Sequence, residues 1–280
     1  MLSVIVLTSP GREANLGHCL RALAGQTQPA DQLIVVDDGS AGGRAVVAAS
    51  GLEIDSFWRP NDVRLAYSRN LGARAARHPG LVFVDSDILL NPHALAYYRV
   101  YQGTEPAAVV YGYTGNARTP QDRCLSALIP NLLVHCEDQR FPWDLEQGLL
   151  VDRYLCPAPQ AYAWSGNFGL SAEVFWSVGG FDETFQGWGL EDIDLAHRFV
   201  NAGIQLHFSL DVWGETCLHA ESAELDRDRN ASRLTPLTQT PKPAEILHDR
   251  AHSSLLQAWE RVYAPQRRAA LENGEAPGRV

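Results

Sequence analysis

A chain of 280 residues, 45% hydrophobic and 20% charged, is long enough to bury a sizeable core, as one large α/β domain or two small ones, and its composition excludes wholesale disorder. Its formal net charge of −10 argues against nucleic acid as a partner, because such binding draws on clustered Lys and Arg, and gives no attraction to an anionic membrane. The five cysteines form no Cys-x-x-Cys pair and read as reduced thiols without a zinc signature; the apolar start, Met1 to Leu7, is short and lacks a basic leader, and no later stretch could span a bilayer, so the expectation is a cytoplasmic protein with no integral membrane segment.

Ser3 to Leu7 reads as a first strand, broken by Thr8-Ser9-Pro10-Gly11. Leu16, Cys19, Leu20 and Leu23 then follow at helical spacing, with Asn15 as N-cap. Gln32 to Val36 is a second buried strand ending in Asp37-Asp38-Gly39-Ser40, a pattern that an Asx-type turn alone would explain. Ile54 to Trp58 is a weaker third strand. Ala66 to Arg77 reads as a helix whose early Arg69 is poorly placed for the helix dipole, which points either to an anion beside it or to a solvated surface arginine.

The densest stretch is Leu81-Val82-Phe83-Val84-Asp85-Ser86-Asp87, an apolar strand ending in two carboxylates one residue apart. In an open α/β sheet, ligands bind beyond the carboxyl ends of the strands, so these acids face a cleft. Two carboxylates that close repel unless a cation or ligand hydroxyls relieve them, and hard oxygen donors suit Mn²⁺ or Mg²⁺. A solvated turn is the competing reading of the tripeptide taken alone. Asn91-Pro92 opens a helix to about Gln102, and Ala108 to Tyr113 is a further strand. Strands alternating with helices predict a largely parallel, doubly wound sheet.

From Thr114 to Tyr162 prolines interrupt any long element. Order returns at Trp164-Ser165-Gly166-Asn167-Phe168-Gly169-Leu170, with Ser171 capping a helix that Gly179-Gly180 ends. In Gly187-Trp188-Gly189-Leu190-Glu191-Asp192, two acids open a helix directly behind an indole: the acids complement the helix dipole, and the set also offers a sugar platform with a base beside it. Ile204 to Phe208 and Val212 to Cys217 read as closing strands with His219 just beyond, and residues 244–263 as a helix in the tail. The expected division is 1–113 and 114–222 as two halves of one domain, with 223–280 as a C-terminal extension.

Val35-Val36-Asp37-Asp38-Gly39-Ser40, Arg69-Asn70-Leu71-Gly72 and Asp85-Ser86-Asp87 together resemble the nucleotide-binding half of family 2 glycosyltransferases of GT-A fold. Gly166-Asn167, Gly180-Phe181-Asp182, Trp188-Gly189-Leu190-Glu191-Asp192 and His219 resemble a galactosyltransferase-like second half, in a pattern similar to bacterial chondroitin and hyaluronan synthase modules. The resemblance implies a Rossmann-like, doubly wound mixed sheet, a UDP-sugar donor, and a glycan, peptide or small-molecule hydroxyl acceptor. It also implies that Thr8, Asp37, Asp38, Arg69, Asp85 and Ser86 line the nucleotide, and that Asp87 and His219 hold Mn²⁺ or Mg²⁺. Asp192 becomes the base, with Glu191 orienting the acceptor, and Trp164, Gly166, Asn167, Trp188 and Gly189 lie around the sugars. Rival readings are a retaining transferase of the same fold, a nucleotidyltransferase, for which no glycine-rich phosphate loop with a basic residue stands near the amino terminus, and a sugar-nucleotide-binding module without turnover.

Overall fold

The computed structural model describes residues 1–117, 136–137, 155–156, 158–217, 230–247 and 249. The first half is β1 (Leu2–Thr8), α1 (Glu13–Ala24), β2 (Gln32–Asp37), α2 (Gly43–Ala49), β3 (Asp55–Trp58), α3 (Leu65–Ala75), β4 (Gly80–Asp85), β5 (Ile88–Leu90), α4 (Ala94–Thr104) and β6 (Val109–Ala117). Two short strands follow, β7 (Cys136–Glu137) and β8 (Leu155–Cys156), then a 3₁₀ turn at Pro159–Tyr162. The second half is β9 (Asn167–Ser171), α5 (Ala172–Ser177), α6 (Glu191–Asn201), β10 (Leu206–Thr216) and β11 (Ala244–Leu247).

All the named strands lie in one mixed sheet. Its main path runs β3-β2-β1-β4-β9-β6-β10-β11-β8, with β5 paired to β10 and β7 to β6. β1 is parallel to β2 and β4, whereas β9 runs antiparallel to both β4 and β6. β6, running past residue 113, crosses the expected boundary between the two halves, which this sheet joins.

The continuous apolar runs of β1, β2 and β4 are what a strand covered on both faces requires. Side chains alternate, so Ile5, Leu81 and Phe83 enter a core shared with α3 and α6, while Val4, Val6, Val82 and Val84 enter a second core beneath α1 and α4. In the first core Phe83 stacks on Phe168 at 4.7 Å and meets Phe181 edge-on at 6.0 Å. Each such ring contributes roughly 1.5–3 kcal/mol of burial. Ser171 caps α5 by accepting from Val174 N at 3.2 Å, and Gly179 and Gly180 stop it in the left-handed region at φ 86° and 69°.

Several expected boundaries are corrected. α1 begins at Glu13 rather than after Asn15, with no side-chain cap. The two closing strands are one strand, β10, whose pairing to β6 shifts register between Ser209 and Gly214; Ser209 Oγ accepts from Asp211 N at 3.0 Å inside that bulge. The expected tail helix does not begin at Ala244, because Ala244–Leu247 adds to β10 as a parallel strand. Four residues carry too little periodicity to separate strand from helix, and the unpaired edge of β10 decides. The remainder of 248–263, apart from Asp249, lies outside the described residues. Cys19 and Cys217 are buried, and no helix among the described residues is long and apolar enough to cross a membrane.

Candidate active site

The carboxyl ends of β1, β2 and β4 meet at one edge of the sheet. Thr8 sits in register with Asp37, and Leu7 with Asp85. Asp37 is fully buried and closes its own turn, accepting from Ser40 N at 2.7 Å and from the Ser40 hydroxyl. Asp38 accepts from the Arg59 guanidinium at 2.9 Å, yet burial, with Asp62 and Asp37 nearby, pushes its carboxyl up to about 6. Thr8 O accepts from Asp38 N at 2.9 Å, while Thr8 Oγ1 is buried with no hydrogen-bond partner among the described residues. An orphaned hydroxyl at a strand end is where a ligand's polar group fits.

Arg69 organises the next layer. It projects from α3 with only 4% of its surface exposed, donating Nη2 to Asp85 at 3.0 Å and Nη1 to Glu191 at 3.0 Å. Its Cζ lies 5.5 Å from the centre of the Phe181 ring, and its Nε has no partner among the described residues. The guanidinium fork that the sequence offered to a nucleotide is thus committed through both Nη atoms to two carboxylates, joining the end of β4 to the start of α6.

Glu191 is equally committed: its second oxygen accepts from Gly189 N at 3.1 Å. Asp192 accepts from Ile193 N at 2.8 Å and from the backbone N–H of Ser165. Burial and then the neighbouring Glu191 push the Asp192 carboxyl up to about 7, against the lowering pull of Arg69. Gly166 O accepts from Asp85 N at 3.0 Å, and a methyl added at Gly166 would reach Asp85 Oδ2 at 3.4 Å, so this glycine lines the space in front of Asp85. Trp188 is 46% exposed at the tip of its loop. Trp164 is half-buried beside Tyr162, at a ring separation of 6.4 Å.

Asp87 is pushed up to about 7 by burial and by Asp85, with the Arg12 cation pulling it down. Such a pair of hard oxygen donors fits a divalent cation, whose charge would offset the burial and the repulsion that raise Asp87. Among the described residues no cluster of three His, Cys, Asp or Glu is preassembled for a metal. Asp87 O accepts from Cys217 N at 2.7 Å, which ties the end of β10 to this acid; His219 lies outside the described residues. Ser86 is buried, its N–H donating to Leu7 O at 2.9 Å.

Asn167 has a different place from the one expected. Its carboxamide lies inside the sheet, accepting from the Tyr98 hydroxyl and donating to Val212 O, both at 2.7 Å, so it braces β9 rather than facing a sugar. Arg12 has no part in the sequence reading, and Asn70 enters it only within the Arg69-Asn70-Leu71-Gly72 segment, without a role of its own. Arg12, the N-cap residue of α1, faces Asp87 and Asp85; a basic residue just after a strand-ending Pro-Gly was its signal. Asn70, beside Arg69, donates to Phe181 O at 2.8 Å and accepts from Phe181 N at 2.9 Å, pinning Gly180-Phe181-Asp182 to α3, and only the contact itself reveals this.

Residues 3–123 match the family described as glycosyl transferase family 2, and residues 149–214 match the N-terminal domain of galactosyltransferase. The chain is 34% identical over 241 residues to validoxylamine A glucosyltransferase of Streptomyces hygroscopicus subsp. limoneus, an alignment covering 80% of this chain and 53% of that protein. It is 25% identical over 255 residues to Escherichia coli chondroitin synthase, covering 82% of this chain and 36% of the relative. Among solved structures, GalNAc-T7 with UDP, GalNAc and Mn²⁺ superposes with a TM-score of 0.58 at 16% identity, over 79% of this chain and 44% of that one, which shows a shared fold. The chain spans about half the length of the Streptomyces relative.

Proposed function

The chain belongs to the family 2 glycosyltransferases and carries a galactosyltransferase-type second half, and from that premise we propose that it moves a hexosyl group from a UDP-sugar to a hydroxyl acceptor with inversion at the anomeric carbon. One observation carries the reading: Arg69 holds both Asp85, at the end of β4, and Glu191, immediately before Asp192, so one guanidinium ties a donor-side acid to the residue next to the candidate base. The Streptomyces relative's name supports glucose as the sugar and validoxylamine A as the first acceptor to try. The fold shared with a UDP and Mn²⁺ complex supports the nucleotide and the metal.

In this reading Thr8, Asp38 and Ser86 receive the nucleoside, with Asp37 holding the turn that shapes its pocket. Asp87 and Asp85, with His219, hold Mn²⁺ or Mg²⁺, which when bound offsets the charge of the departing diphosphate. The acceptor lies on Trp188, between Gly166 and the Gly189 loop, with Trp164 at its edge. Asp192 takes the acceptor hydroxyl's proton as that oxygen bonds to the anomeric carbon; the bond to the diphosphate oxygen breaks on the opposite side, and its electron pair leaves with UDP. A carboxyl lifted to about 7 by burial is matched to that duty near neutral pH.

The test is calorimetry of UDP with and without Mn²⁺, then a screen of UDP-sugars for hydrolysis and transfer. Metal-dependent UDP binding, transfer to give the inverted product anomer by NMR, and an Asp192→Asn variant that binds UDP but has lost transfer are the expected results. Absence of UDP binding with metal present overturns the donor assignment, and normal turnover by Asp192→Asn removes Asp192 from the base role.

A further inference from the structure

We propose that Asn230, which lies outside both matched regions, is a positioning residue that fixes the Trp188 loop for the acceptor; this rests on the transferase reading above. Asn230 is fully buried, and its Nδ2 donates to Gln186 O at 3.0 Å and to Gly189 O at 2.9 Å. Those two carbonyls bracket Gly187 and Trp188. A primary amide supplies two N–H donors from one atom, so a single side chain sets the span of the loop.

The loop needs such a hold. Gly187, Gly189 and Leu190 all have left-handed backbone, at φ 77°, 113° and 73°, so this stretch cannot form a regular ladder of its own. Its N–H groups are held from the other sides, Gly187 N by Val63 O at 3.0 Å and Gly189 N by Glu191 at 3.1 Å. Asn230 supplies the carbonyl side. With Trp188 46% exposed, the direction of the indole is set through this backbone.

Asn230 is itself fixed by the segment that follows it, which runs along α6. Arg233 donates to Thr184 O, Thr235 N donates to Asp194 at 2.8 Å, and Asn201 donates to Pro236 O at 2.8 Å while accepting from Thr238 N at 2.7 Å. The same helix that carries Glu191 and Asp192 therefore carries the strap that shapes the platform, and base and platform share one frame.

The experiment uses the full chain and compares Asn230→Asp and Asn230→Ala, alone and with Trp188→Ala. UDP-glucose hydrolysis by water reports the donor side, and transfer to validoxylamine A, or to the acceptor that the wild type proves to use, reports the platform. Folding is checked by circular dichroism and UDP calorimetry. Expected are donor hydrolysis and UDP affinity within about twofold of wild type, and a loss in kcat/KM for the acceptor of tenfold or more, mostly in KM and larger for Asp, whose carboxylate opposes two carbonyls. With Trp188→Ala already present, the Asn230 changes should cost less than about twofold more. Wild-type acceptor kinetics in Asn230→Asp, an undiminished loss in the Trp188→Ala background, equal losses of hydrolysis and transfer, or failure of both variants to fold would each overturn the proposal. A wild type that neither binds UDP nor hydrolyses any UDP-sugar would instead sink the transferase reading beneath it.

Discussion

Replacing Arg69 by methionine removes a cation that two carboxylates share while keeping much of its volume. Arg69 is 4% exposed and its partner Glu191 5%, at 3.0 Å, so the variant leaves a buried carboxylate with only the Gly189 N–H beside it. Breaking a buried pair in this way costs about 3–5 kcal/mol. Asp85, 34% exposed, is rehydrated instead, and its lost pair adds at most about 1 kcal/mol after screening. The total, roughly 4 kcal/mol, is a large share of the ~5–15 kcal/mol that holds an ordinary domain together. With a urea slope near 3 kcal/mol per molar it lowers the unfolding midpoint by about 1 M or more. Equilibrium urea unfolding, followed by tryptophan fluorescence, reads it directly. Arg69→Met/Glu191→Leu removes both buried charges and should recover most of the loss. A midpoint for Arg69→Met within about 0.2 M of wild type, or a double variant less stable than the single one, refutes the description of this contact as a buried charge pair. A functional arm runs alongside: Arg69 pulls the Asp192 carboxyl down, so its removal shifts the acid limb of transfer to higher pH.

As the proposed base, Asp192 would act only when ionised, so kcat/KM should fall about tenfold per pH unit below about 7 and level off above it, and a flat profile from pH 5.5 to 8 would exclude this base. The same carboxyl keeps its proton in the fold above the ordinary 3.8, so it lowers stability as pH rises from there to about 7; the stability of the wild type relative to Asp192→Asn should fall over that window, and a difference that stays flat or rises refutes the sign. Asp87→Ala should abolish the Mn²⁺-dependent gain in UDP affinity while leaving metal-free binding unchanged, and calorimetry that still shows the full gain would move the metal elsewhere. Gly43→Ala puts a methyl 2.0 Å from Asp37 Oδ2 and 2.3 Å from Ser40 Oγ, so it should cost about 1–3 kcal/mol in urea and weaken UDP binding; wild-type behaviour in both would remove the Asp37 turn from the nucleotide pocket.

The parts of the fold legible in the sequence are those whose signal is local. β1, β2 and β4 are buried on both faces and read as unbroken Val, Ile, Leu and Phe runs stopped by polar residues. Ser171 and the left-handed Gly179-Gly180 bracket α5 with ordinary cap chemistry. α2 was not legible, because Gly43 to Ala49 is short and opens with a glycine. β5 and the bulge in β10 depend on each other, with Asn91 donating to Asp211 O and Trp213 O, and neither partner announces the other. In the site, residue types and order pointed to Asp85, Asp87, Glu191 and Asp192, but the tie between Arg69 and Glu191 spans 122 positions and has no local signature. The place of Asn167 has no local signature either: the resemblance put it beside the sugars, whereas Tyr98 and Val212 occupy both ends of its amide.

The reversed direction of β9 has a practical bearing on building hybrids. Because this strand runs against β4, its beginning, not its end, arrives at the edge where Asp85 stands, and Val84 pairs with Asn167 there. A residue that sequence order assigns to the second half is therefore structurally the neighbour of the first. An exchange of acceptor specificity between relatives that cuts just before residue 166 would import Gly166, which faces Asp85, together with a foreign register against β4. Leaving residues 164–171 with the recipient, and exchanging the loop around Trp188 together with the segment containing Asn230, keeps each contact with the partner it grew beside.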